Sequence, residues 1–326
     1  MSSDILYLHG GRDEPISHER VSQLLASGEF FWLSLDGVDD TDLLLNTFGF
    51  HPLAVEDAVR GGQRPKIDRY DGYTFWVAHG VNAAGVVTEV HLFFSGNYVV
   101  TVGNDCEELF AEVHRRLDLH PPKLTSAPSV TAVYLMLDAL VDSFFPRLAD
   151  LDENIDDLED QILKSPTEDQ LGQLFQLKRQ LVSYRKTITP QRDLMARVLG
   201  GADAIEGMTD EDLRYFRDLY DHLIRISDMV DSYRDLVSGA VDTHISMVSN
   251  RMNVIMKQLT IIATVFLPLT FLTGFFGQNF SFLVNHVISP TWTFWVYGIG
   301  LNFGAIVGLV WYGRRSGWFG GPWDGA

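Results

Sequence analysis

Between Lys257 and Arg314 the chain reads QLTIIATVFLPLTFLTGFFGQNFSFLVNHVISPTWTFWVYGIGLNFGAIVGLVWYG, 56 residues without one Asp, Glu, Lys or Arg. In a chain with 21% charged residues such a gap needs a physical cause. Two apolar runs lie inside it, Leu259–Phe276 and Thr291–Gly313, of 18 and 23 residues. A helix crossing the hydrocarbon of a bilayer needs about 20 apolar residues. The alternative for each run is a core helix buried in protein. Two such runs side by side in one neutral zone favour a membrane hairpin, whose connecting loop opens Gly277-Gln278-Asn279-Phe280.

The flanks orient the hairpin. Arg251 and Lys257 precede it, Arg314 and Arg315 follow it, and the 14-residue loop Gly277–Pro290 carries no cation. The positive-inside rule then puts both termini in the cytoplasm and the loop outside, as expected of a multi-pass protein of the cell membrane. Trp292, Trp295, Tyr297, Trp311 and Tyr312 fall near the ends of the second run, where interfacial aromatic anchors belong. The formal net charge is −18, and after Asp242 no acidic residue follows until Asp324. The body before the hairpin is therefore acidic, which disfavours nucleic acid as a partner and favours cations. The single Cys106 excludes an intramolecular disulfide framework and a cysteine-built zinc cage. The segment Met1-Ser2-Ser3-Asp4 has no basic region followed by an apolar core, so no signal peptide is expected.

Residues 1–125 read as a mixed α/β domain. Ile5–Leu8, Phe30–Leu35, Thr74–His79, Val90–Phe94 and Tyr98–Val102 are strand-like runs, with Gly96-Asn97 a hairpin turn between the last two. Ser17–Ser27 and Thr41–Phe48 read as helices, the second capped by Asp40. Residues 126–257 read as long helices. Val130–Lys164 carries seven acids from Asp150 to Asp160 and is expected to kink at Pro146. The next, restarting near Pro166 and Thr167, is basic, with Lys178, Arg179, Arg185, Lys186, Arg192 and Arg197. Opposite charge makes the two a natural pair, and two separately solvated faces are the plainer reading. From Thr209 an apolar stripe (Leu213, Phe216, Tyr220, Leu223, Ile226, Val230, Tyr233, Val237, Val241, Ile245, Val248, Met252) steps by threes and fours toward the hairpin. It predicts one helix about 100 Å long, a stalk continuing into the first span at 1.5 Å per residue. Residues 258–313 are then the two transmembrane helices with their loop, and 314–326 a cytoplasmic tail.

The first span carries a second stripe of small, hydroxyl and amide residues: Asn253, Met256, Thr260, Ala263, Leu267, Thr270 and Gly274. Such a stripe faces other helices or a water-filled path, and the pattern alone permits both. The amide-bearing turn Gln278-Asn279 tips the reading toward a path, because carbonyl and amide oxygens suit a hard, hydrated ion.

The run from Asn253 through Gly277-Gln278-Asn279-Phe280 closely resembles the CorA family of divalent-cation channels. Arg217-Asp218-Leu219-Tyr220-Asp221-His222, Gln63-Arg64-Pro65-Lys66 and His51-Pro52-Leu53 with Glu56-Asp57 agree with it, so the resemblance spans essentially the whole chain. It implies an α+β cytoplasmic domain, α/β/α sandwich-like, followed by long stalk helices and a two-helix transmembrane hairpin, in a funnel-shaped homopentamer. It implies Mg²⁺ influx, with Co²⁺ and Ni²⁺ as further cargo. Gly277, Gln278 and Asn279 would form the selectivity loop. Asn253, Met256, Leu259, Ala263, Leu267, Thr270 and Gly274 would line the pore, Met256 and Leu259 as its hydrophobic constriction. Asp218 and His222 match a cytoplasmic regulatory metal site that holds the pore shut, completed by a neighbouring copy, with Asp68 and Asp71 as candidate donors. Read without the resemblance, Asp218 and His222 are also an ordinary exposed helix face with ion-pair partners.

The sequence departs from the family pattern at Gln278, where methionine is usual. It departs again in the neutral loop Ser281–Pro290 with Asn285 and His286, and in a tail carrying only Arg314-Arg315 before Trp318 and Trp323. A zinc-type, proton-linked transporter of the same superfamily is therefore the alternative, since His286 offers a softer donor to Zn²⁺. Outside transport, a membrane-anchored scaffold or enzyme remains. The chain has no His-Glu-x-x-His, no Gly-x-x-x-x-Gly-Lys loop and no Gly-x-Ser-x-Gly elbow, and no enzyme is expected.

Overall fold

The computed structural model describes residues 5–8, 11–12, 17–37, 41–104, 106–119, 127–278, 280–287 and 290–317. The chain divides into two compact units, Met1–Thr243 and His244–Ala326. The expected boundary at 125/126, the cap Asp40, and Trp318 and Trp323 lie outside the described residues.

The first unit is built on a seven-stranded sheet of order β2-β1-β3-β7-β6-β5-β4, with β1 Ile5–Leu8, β2 Gly11–Arg12, β3 Phe31–Asp36, β4 Lys66–Tyr70, β5 Tyr73–Val81, β6 Val87–Phe94 and β7 Tyr98–Gly103. Among the described residues only β3 and β7 pair in parallel. Side chains alternate between faces along each strand. Phe31, Leu33, Phe75, Val77, Phe93 and Val100 pack with α1 (His18–Ser27), the π-helical turn Leu43–Thr47 and α2 (Pro52–Arg60). Trp32, Trp76, Ala78, Leu92 and Val99 point the other way, into the larger core built with the helices that follow. The unit is thus helix, sheet, helix in three layers, as the α/β/α expectation required. The Gly96-Asn97 hairpin is present, with Phe94 opposite Val99.

The helices start where capping chemistry allows. The Ser17 hydroxyl accepts from the Arg20 amide at 3.1 Å to open α1, and Gly28 closes it at φ 70°. His51 Nδ1 accepts from the Leu53 amide, with Pro52 at the first helical position of α2. After α3 (Glu107–Leu119), the expected helix 130–164 is instead two helices, α4 (Pro128–Asp142) and α5 (Phe144–Lys164). The break falls at Ser143, not Pro146. The Ser143 hydroxyl donates to the Leu140 carbonyl at 2.6 Å and accepts from the Val81 amide at 2.8 Å, tying the break to the end of β5. Pro146 sits in the first turn of α5, where a missing amide proton costs nothing. Gly80 makes this contact possible, since a Cβ there would lie 2.8 Å from Leu140 Cδ2 and 2.9 Å from the Ser143 hydroxyl.

A Thr167–Gln170 capping box opens α6 (Glu168–Leu199), and a Thr209–Asp212 pair opens α7 (Asp212–Phe276). Pro166 therefore precedes the helix. Acidic α5 and basic α6 do not pair by charge: among the described residues no salt bridge joins them, and both contribute aliphatic side chains to one core. Gln191 of α6, 2% exposed, accepts from the His79 amide at 2.8 Å and donates to the His79 carbonyl at 3.2 Å. β4 pairs with β5 only as far as Val77, so this amide satisfies the next backbone groups on the same side of the strand.

α7 is one helix, Asp212–Phe276, of 65 residues. Its apolar stripe is buried at Phe216, Leu223, Ile226, Val230, Tyr233 and Val237. Within the second unit the same register is exposed at Ile245, Val248 and Met252. That unit contains the rest of α7, a π-helical turn at Leu283–Val287, and a second apolar helix, Thr291–Arg315, with a π-helical segment Phe294–Gly300.

Candidate functional site

In the first unit, α4 and α7 bring together four side chains from positions far apart in sequence. Asp138 and Asp142 lie one turn apart on α4, and Asp218 and His222 one turn apart on α7, so each pair shares a face. His222 Nδ1 stands 3.5 Å from an Asp142 carboxylate oxygen and its Nε2 3.9 Å from Asp218. One donor atom from each of Asp138, Asp142 and His222 falls within 4.8 Å of the others, a spacing that can surround a single cation. Aromatic contacts seat the group: Phe145 meets His222 edge-on at 5.6 Å, and Tyr134 contacts Tyr215 and Phe216 at 5.5 and 5.9 Å.

Among the described residues Arg116 is the guanidinium within salt-bridge distance of these carboxylates. Arg116 of α3 reaches Asp138 at 3.2 Å and Asp142 at 3.9 Å, but it is shared with Glu112 at 3.1 Å. Burial, then repulsion from Asp142, pushes the Asp138 carboxyl up to about 6. Burial first, then Asp138, Asp218 and Asp142, raises the Tyr134 hydroxyl above its ordinary value and keeps it a donor. The Nδ1 of His222 is buried without a hydrogen-bond partner. An under-neutralised carboxylate group beside an imidazole nitrogen that makes no hydrogen bond fits a divalent cation: carboxylates suit Mg²⁺, and the imidazole also accepts Co²⁺, Ni²⁺ or Zn²⁺.

The sequence pointed to Asp218 and His222 but not to Asp138 and Asp142. The available signal was two acids one turn apart inside the otherwise apolar 128–142 segment. Asp68 and Asp71 do not join this group within one chain. Asp68 is held at 2.7 Å by Lys66, which also pairs with Asp57 at 2.8 Å, and Asp71 is exposed in the turn after β4.

In the second unit, every one of Asn253, Met256, Leu259, Ala263, Leu267, Thr270 and Gly274 is exposed on the single chain, Leu267 to 75%. Ile261, Thr264, Val265, Pro268, Leu269, Leu272 and Phe276 are partly covered instead. At about 100° per residue these two sets occupy opposite sides of α7. The covered side ends at Phe276, which stacks on Tyr297 of the second apolar helix at 5.5 Å. The Thr260 and Thr270 hydroxyls each donate to the carbonyl four residues back at 2.8 Å. Their protons are committed, so each oxygen offers only lone pairs to whatever lies beside it. Gly277 and Gln278 are exposed in the turn that ends α7, with the Gly277 amide bonded to the Thr273 carbonyl at 2.9 Å. Asn279 lies outside the described residues.

An acidic body whose carboxylate–imidazole group could hold a cation, and a helix whose end is long and apolar enough to cross a membrane, point to a membrane protein that handles cations. Comparison with known proteins agrees: residues 27–315 match the family described as CorA-like Mg2+ transporter protein, and the chain belongs to that family. It is 36% identical over 260 residues to the cobalt/magnesium transport protein CorA of Thermotoga maritima, covering 77% of this chain and 74% of that one. It is 26% identical over 297 residues to the zinc transport protein ZntB of Yersinia enterocolitica, covering 88% and 87%. The complete CorA magnesium transporter structure from Methanocaldococcus jannaschii superposes with a TM-score of 0.81 at 22% identity, over 97% of this chain and 98% of that one. The likeness of fold therefore extends through both units.

Proposed function

We propose that this chain forms a homopentameric channel for Mg²⁺, carrying Co²⁺ and Ni²⁺ as well, with the body and both termini in the cytoplasm. The observation that carries the reading is the exposed side of α7, where small, hydroxyl and amide groups line up opposite the partly covered side that ends at Phe276. Five copies meeting along that side would enclose a path. Asn253, Thr260 and Thr270 would present oxygens to a hydrated ion, and Met256 and Leu259 would form a constriction that closes by dewetting. Gly277, Gln278 and Asn279 would receive the ion at the outer mouth. The group at Asp138, Asp142, Asp218 and His222 would read the cytoplasmic concentration. Mg²⁺ bound there would neutralise acids on α4 and α7 and hold the closed state. Asp68 or Asp71 of a neighbouring copy would complete the coordination.

Flux into proteoliposomes tests the reading. Inward Mg²⁺ flux driven by membrane potential, and its loss in Asn279→Ala, is the expected result. Zinc uptake that needs an inward proton gradient, without Mg²⁺ flux, would instead establish the proton-linked alternative. Unchanged flux in Asn279→Ala would remove the loop from the path.

A further inference from the structure

A chain of net charge −18 keeps one concave surface strongly basic. The loop after α2, the end of β5, α6 and α7 line an open cavity of about 680 Å³ that bears Arg64, Arg185, Lys186 and Arg234, with His79 and Thr189. Pro65, Val182 and Pro190 add an apolar wall. Nearby acids neutralise only part of this charge. Asp231 is shared between Arg185 at 2.9 Å and Arg234 at 3.4 Å, and Arg234 also touches the exposed Asp235 at 3.4 Å. Among the described residues neither Arg64 nor Lys186 has an acidic partner within salt-bridge distance. Glu89, 3.8 Å from His79, is engaged by the Gly62 and Gln63 amides and by His91 at 3.1 Å. His79 is 5% exposed and its Nδ1 has no hydrogen-bond partner. The basic surface continues along α6 into a second hollow bearing Lys178 and Arg179 and sharing Lys186.

We propose that this cavity binds a nucleoside polyphosphate. Guanidinium groups grip phosphate oxygens in pairs and an ammonium adds a point charge. The excess of cations calls for a ligand with several negative charges, which a single carboxylate cannot supply. The volume lies within the range of small-molecule sites, and the proline and valine wall suits the flat face of a base. An anion here would compete with Asp231 for Arg185 and Arg234, and so would touch α6 and α7 together. The inference stands apart from the transport reading, because binding is measured without flux.

The test uses the purified full chain in detergent at fixed free Mg²⁺, so that chelation of the cation does not mimic binding. Equilibrium dialysis with adenosine triphosphate should show saturable retention, competed weakly by inorganic phosphate and not by adenosine. The double variant Arg64→Glu/Lys186→Glu should weaken that retention by about tenfold or more, and Lys164→Glu, at the far end of α5, should leave it unchanged. Circular dichroism of each variant checks that the fold survives, and Arg64→Gln/Lys186→Gln replaces the double variant if it does not. Retention equal in all variants would mean an adventitious ion only. Capture by anionic lipid vesicles without nucleotide retention would assign the surface to a membrane. A fall in oligomer mass on charge reversal, again without retention, would assign it to the acidic α5 face of a second copy. Each of these three results overturns the proposal.

Discussion

Two regions of this molecule are long and apolar enough to cross a membrane, and their surroundings differ completely. The helical stretch Pro128–Lys164 has 61% of its most apolar window buried inside the chain. The corresponding window of Asp212–Phe276 is 0% buried and that of Thr291–Arg315 is 6% buried. In the first case the sheet together with α3, α6 and α7 has already removed the apolar surface from water. In the second almost none of it is removed among the described residues, which leaves it to lipid or further copies. Hydropathy alone does not separate the two. Acids do: Asp138 and Asp142 end α4 inside a polar cluster, whereas the spans carry no charge at all.

The largest expected effect pits one region against the other. Leu140, fully buried between α4 and the sheet, should tolerate no charge: Leu140→Asp should cost about 4 kcal/mol or more and leave little folded body. Leu267→Asp, on the exposed side of the span, should leave the melting of the body within about 0.5 kcal/mol of the parent while changing ion flux. Equal collapse in both variants, followed by circular dichroism, would erase the distinction between a core helix and a span.

A smaller effect separates the two ends of α7. Asp218→Ala should weaken Mg²⁺ protection of the body against protease about tenfold without affecting its fold, since Asp218 is mostly exposed. Protection unchanged in that variant would detach the carboxylate group from ion sensing.

The smallest is a pH dependence. Asp138 has its folded carboxyl raised from 3.8 to about 6, chiefly by burial. The folded chain therefore holds that proton more tightly than the unfolded one, and ion-free stability should fall as pH rises through that window. Asp138→Asn should abolish this slope. Mg²⁺ protection in the parent should correspondingly weaken as pH drops below about 6, because proton and cation compete for one carboxylate. A melting midpoint with the same pH slope in both proteins would count against the assignment.

The two apolar helical segments and α7 were legible because absence of charge and three–four spacing are properties of a contiguous stretch. The strands β3, β5, β6 and β7 were legible for the same reason. β4 was not: Lys66-Ile-Asp-Arg-Tyr70 is a half-exposed edge whose charges suit solvent and hide the strand. The break at Ser143 was invisible because it depends on the amide of Val81, 62 residues away. Asp138 and Asp142 were missed for a related reason. Their meaning appears only when α7 is laid against α4, a contact that no local pattern encodes. Within one chain the structure brings Asp218 and His222 to those two acids and leaves Asp68 with Lys66.

Gln191 has one more consequence. Its amide fills the hydrogen-bonding positions that a β4 two residues longer would have occupied beside His79. That short piece of sheet is thereby closed to any other strand. Copies of a membrane protein are made and held close together on a surface, where an open sheet margin would recruit neighbours in the wrong way. One side chain on a helix acts here as a stopper, leaving this piece of sheet no open backbone groups to offer a neighbour.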